Sequence, residues 1–172
     1  MFLNTIKNFL LKNKVSKLLS NVTTNRSEGI IKSVGVFFDG NLSLDIKNVI
    51  DELVKHGIEE KDIKVLIFKN KIPKNEVNKY DVFSYKEINW SGEILDSNAK
   101  LFLNTNFDLL INYHDFENAP LVYASYLSEA NFKVGFTTKD KIINQFMINT
   151  DVNNYQLFID ELVMYLKILN KI

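Results

Sequence analysis

The sequence has no cysteine, two prolines and six glycines in 172 residues. Without cysteine there is neither a disulfide scaffold nor a thiolate zinc site. Arg26 is the single arginine, so the chain lacks the planar fork that grips phosphate and reads bases, and specific nucleic-acid recognition is not expected. No window approaches the roughly 20 apolar residues of a transmembrane helix, so no transmembrane segment is expected. The phosphate-cradling patterns G-x-x-x-x-G-K-[ST] and G-x-G-x-x-G do not occur, and neither does the nucleophile elbow G-x-S-x-G. Acidic residues are missing from the first 27 positions, where Lys7, Lys12, Lys14, Lys17 and Arg26 give a charge of +5. The whole chain balances 21 basic against 21 acidic residues, so the remainder carries −5.

What is present is a well-filled globular pattern. Hydrophobic residues make up 46% of the chain, enough to exclude disorder. Residues 1–20 read as a basic amphipathic helix. Phe2, Leu3, Ile6, Phe9 and Leu10 share one stripe, whereas Leu11, Val15, Leu18 and Leu19 fall on another face. Residues 21–29 read as a linker, dividing the chain into an arm over 1–29 and a single domain over 30–172. Lys12 and Lys14 interrupt the apolar stretch, which argues against a signal peptide.

From residue 30 onward, strands alternate with helices. Short apolar runs at 33–38 (SVGVFF), 63–68 (IKVLIF), 107–113 (FDLLINY) and 132–136 (FKVGF) predict strands buried on both faces. Weaker strands are expected at 82–85 and 145–149. Helices are expected after Ser43, with Ile46, Val49, Ile50, Leu53 and Val54 inward, and over 98–104, 118–130 and 152–169. The last of these places Leu157, Phe158, Leu162, Tyr165, Leu166 and Leu169 at core spacing. The result is an α/β fold: a three-layer, mostly parallel sheet of five or six strands, Rossmann-like or flavodoxin-like in order.

Open parallel sheets bind ligands beyond the carboxyl ends of their strands. The candidate ligand-binding residues there are Asp39 and Asn41, then Asn112, His114 and Asp115, then Thr137. The stretch VGVFFDGNLS resembles the first motif of haloacid-dehalogenase-type phosphatases. That motif implies a second aspartate where Asn41 stands, and asparagine does no acid/base work near neutral pH. A polar turn is therefore the expected role of Asp39-Gly40-Asn41. His114, with Asp115 and Glu117 beside it, is the densest ionisable cluster. No catalytic residue, metal site or cofactor is assigned.

Two family resemblances follow from these residues. Residues 107–136, FDLLINYHDFENAPLVYASYLSEANFKVGF, resemble a unit in the N-terminal half of heptosyltransferase-type glycosyltransferases. That likeness implies a degenerate, transferase-like domain for a nucleotide or nucleotide sugar, without the second domain such enzymes need. The basic helix followed by the FDLLINYHD and FKVGF elements is similar to a bacterial family of unknown function from Lys/Asn-rich, low-GC genomes. The expected function is a non-catalytic interaction module. Its N-terminal helix would contact a protein partner or an anionic membrane surface. The alternative is a small-molecule site at the strand ends.

Overall fold

The structure is a computed structural model that describes residues 2–19, 29–73, 75, 77–114, 118–137 and 143–172. A helix, α1 (Phe2–Leu19), precedes six strands: β1 (Val34–Asp39), β2 (Ile63–Phe68), β3 (Asp81–Phe83), β4 (Leu109–Tyr113), β5 (Lys133–Phe136) and β6 (Phe146–Ile148). They form one sheet in the order β3-β2-β1-β4-β5-β6. Every pairing is parallel. This is the Rossmann-like order, and it selects that expectation over the flavodoxin-like one.

Three of the connections carry a helix: α2 (Ile46–Lys55) joins β1 to β2, α3 (Ser97–Leu103) joins β3 to β4, and α4 (Ala119–Leu127) joins β4 to β5, while α5 (Tyr155–Ile168) follows β6. Strand alternation divides the interior in two. Val34, Val36, Phe38, Val65, Ile67, Leu109, Ile111 and Val134 pack with α2 and α5. Phe37, Leu66, Phe68, Phe83 and Leu110 pack with α3, α4 and α1. The register carries Gly35, Asp39, Asn112, His114 and Gly135 onto this second face.

Several local expectations need correction. Asp45, not Ser43, caps α2, because its carboxylate accepts from the Lys47 amide at 2.9 Å. Val54 faces solvent. Helix α4 stops at Leu127, because Ser128 is extended. In α5 the buried residues are Phe158, Ile159, Leu162, Val163 and Leu166, while Leu157, Tyr165 and Leu169 are exposed. The spacing identified a helix but set the stripe about one position off.

Helix α1 lies against α4. Leu11 and Val15 enter the core, and Leu18 packs on its edge. Around them the lysines reach neutral acceptors. Lys7 Nζ donates to the carbonyls of Tyr85 (2.7 Å) and Ile88 (2.5 Å), and Lys14 Nζ donates to that of Ser91 at 2.9 Å. The same ammonium groups lie 5.4 Å and 4.8 Å from the ring centres of Trp90 and Tyr123. Helix α1 is therefore docked by apolar burial together with the carbonyl and ring contacts of Lys7 and Lys14. Leu11→Ala should lower the unfolding free energy by about 2–4 kcal/mol in urea titration. A loss under about 0.5 kcal/mol would place Leu11 outside the core.

Candidate functional site

The carboxyl rim of the sheet begins at Asp39, the last residue of β1. Its Oδ1 accepts from the Asn41 amide at 3.0 Å and from Asn41 Nδ2 at 2.6 Å. Its Oδ2 accepts from Asn118 Nδ2 at 2.8 Å. Asn118 also caps α4, accepting from the Leu121 amide at 3.4 Å. Asn41 Oδ1 accepts from the Asn70 amide at 3.0 Å, just past β2. One buried carboxylate thus ties the exits of β1 and β2 to the start of α4. It does so at the β1/β4 boundary, where the strand order reverses. Asn41 has the role of a turn residue. Burial raises the pKa of nearby Tyr85, and the charge of Asp39 raises it further.

A second polar group sits on the same face. Asn112 of β4 donates through Nδ2 to Asn144 Oδ1 at 2.6 Å. Ser125, in α4, places its Oγ 2.6 Å from Asn112 Oδ1 and 2.8 Å from the Leu121 carbonyl. Its single hydroxyl proton serves one of these at a time. His114 Nε2 lies 3.2 Å from the same Oγ, within reach to donate to it. All four side chains are buried, Ser125 completely. Gly135 makes room for this group, because a Cβ there would sit inside contact distance of Asn144 Nδ2. Asn112, Ser125 and Asn144 thereby satisfy one another, as buried polar groups must.

The sequence candidates are therefore divided. Asp39 pairs with Asn41 directly, and Asn112 joins His114 through Ser125. Asp39 and His114 each lie one residue beyond the Phe38–Tyr113 pair of adjacent strands. Thr137 is exposed, and its amide donates to the Ile148 carbonyl at 2.9 Å. Asp115 lies outside the described residues, as do Glu117 and Thr138. Ser125, Asn118 and Asn144 were not anticipated. Ser125 carried a signal: it is the polar residue in the apolar stretch APLVYASYL, seven positions after the Asn118 cap and so on the same helical face.

Lys133 was also overlooked. It opens β5, and its Nζ donates to the carbonyls of Ser125 (2.8 Å) and Ser128 (2.7 Å). A cation at a helix carboxyl end is favourable. Burial works against that charge and lowers the pKa to about 8.

A parallel sheet in this order, with a polar hub at its switch point, places the molecule in the Rossmann-like α/β class. Within that class the chain belongs to a family of unknown function, DUF6913, whose model matches residues 7–169. No curated protein and no solved structure matches it.

Ser125→Ala leaves Asn112 Oδ1 buried without that donor, and should cost about 1–3 kcal/mol in urea unfolding. Lys133 sets a pH dependence. Its folded pKa of about 8 lies below the ordinary 10.5, so between these values the unfolded chain holds the proton that the folded chain has lost. Stability should therefore rise with pH across that window, by about 3 kcal/mol at most. Lys133→Met should flatten the rise relative to the parent. Equal slopes in the two proteins would rule out Lys133 as its source.

Proposed function

We propose that this protein is a non-catalytic interaction module of the cytoplasm. In this reading residues 30–172 form the scaffold, and residues 1–29 form an arm whose helix meets an anionic membrane surface. The supporting observation is the orientation of α1. Leu11 and Val15 point into the core, while Leu3 (57% exposed), Phe9 (63%) and Leu10 (42%) point outward. Trp90, 56% exposed, flanks the helix beside Lys7. Exposed Lys12 and Lys17 lie on the outer side as well.

Apolar residues framed by lysines and a tryptophan suit the headgroup boundary of a bilayer. Each lysine near an anionic leaflet contributes about 1 kcal/mol, and each apolar side chain somewhat more as it leaves water. The sum describes weak, reversible and salt-sensitive association. A second copy is a poorer occupant, because face-to-face pairing would bring together two helices that each carry Lys7, Lys12, Lys14 and Lys17 and no acid.

The rim residues support the non-catalytic part of the reading. Ser125 is fully buried, its polar neighbours are engaged with one another, and Asp39 is held by amide donors. None of them is arranged as a nucleophile with an accessible base.

Flotation with phosphatidylserine-containing vesicles should recover the protein at about 50 mM salt and lose it at about 500 mM. Neutral phosphatidylcholine vesicles should recover little. Phe9→Asp combined with Leu10→Asp should abolish recovery without lowering stability, since both residues are exposed. Absence of the parent protein from anionic vesicles at low salt would refute the membrane reading.

A further inference from the structure

The opposite rim of the sheet carries a different chemistry. Glu52 and His56 are four residues apart at the end of α2, so they share one helical face. Asp160 reaches them from α5, the other helix on that side of the sheet. His56 Nε2 lies 2.9 Å from Asp160 Oδ1 and 3.5 Å from Glu52 Oε1. The three ligand atoms all lie within 4.8 Å of one another.

We infer that Glu52, His56 and Asp160 form a binding site for a divalent transition-metal ion of the zinc type. Zinc bonds to imidazole nitrogen and carboxylate oxygen are about 2.0–2.2 Å long, which places tetrahedral ligand atoms roughly 3.3–3.5 Å apart. The His56–Glu52 separation already matches this spacing, and the His56–Asp160 separation is slightly short of it. One imidazole and two carboxylates suit a borderline cation, and two carboxylate charges neutralise it. The Asp160 side chain is 58% exposed, which gives the ion a solvent path and leaves water for the fourth position.

Glu52 adds a further reason. It is buried on the face of α2 that also carries Val49, Ile50 and Leu53. A buried carboxylate is costly unless a cation compensates it. Lys55 Nζ reaches Glu52 Oε1 at 2.8 Å, but its side chain is 68% exposed and free of the core. It is a weak compensator and a competitor for the same oxygen. On binding, the ion takes the place of the Nε2 proton shared with Asp160, and that proton leaves to solvent. The ion would join α2 to α5, one ligand pair from the first helix and a single ligand from the second.

The site is independent of the membrane reading, because it lies on the other face of the sheet from α1. The test is titration of chelator-treated, tag-free full-length protein with zinc chloride by calorimetry. Saturable binding of one ion per chain is expected. His56→Ala and Asp160→Asn should each weaken it at least tenfold, since loss of a mere supporting group around a metal costs about 10–100-fold. Lys55→Met should tighten it by removing the competitor. His114→Ala, the only other histidine, should leave it unchanged. Zinc-free melting curves identify any variant that has lost its fold, and Lys55→Met on the exposed side still decides the question then. No saturable binding by the parent protein would overturn the inference. So would unchanged affinity in both His56→Ala and Asp160→Asn, leaving the cluster a hydrogen-bonded latch between two helices.

Discussion

The fold depends on β1 being hydrogen-bonded on both edges and covered on both faces. Its six residues are all buried, with β2 on one side and β4 on the other. In such a strand neither face reaches water, so a polar side chain in its middle needs a buried partner, as Asn112 of β4 has in Asn144 and Ser125, and β1 carries no such residue. Its polarity is therefore displaced to its ends. At the amino end, Asp108 Oδ2 accepts from the amides of Lys32 and Ser33. At the carboxyl end, Asp39 gathers the loops. The helices follow from the same condition. Two layers are needed to cover two faces, and α1 contributes to the layer where α3 and α4 leave room beside Phe83 and Tyr85.

Much of this was legible in the sequence, since the strand periods are unambiguous where a strand is buried on both sides. VGVFF, IKVLIF and LLINY are read correctly because nothing else packs so many apolar residues in so few positions. The order of strands was left between two choices, since periodicity says which face a residue takes but not which neighbour it pairs with. The helices α2 and α5 were found: on α2 Ile46, Val49, Ile50 and Leu53 are inward as expected and Val54 is not, whereas on α5 Phe158, Leu162 and Leu166 are inward and Leu157, Tyr165 and Leu169 are not.

The polar rim was half legible. Asp39, Asn41, Asn112 and His114 are at strand ends, and topology alone points there. Their partners come from afar: Asn144 is 32 residues from Asn112, and Asn118 is 79 from Asp39. No local spacing encodes such contacts. The same limit hides the meeting of His56 with Asp160, 104 residues away. Charge alone does not say how α1 docks. Lys7 and Lys14 reach carbonyls, which are present in every chain and invisible in a charge count.

Gly135 shows how closely three positions are bound together. A side chain at 135 can exist only if Asn144 withdraws, and Asn112 then loses its acceptor. Such positions cannot drift separately. Descendants of this sequence should keep glycine at 135 with amides at 112 and 144, or exchange all three for a packed apolar set. That three-way dependence is a fingerprint by which remote relatives of the fold could be sorted even after the surrounding strands have changed beyond recognition.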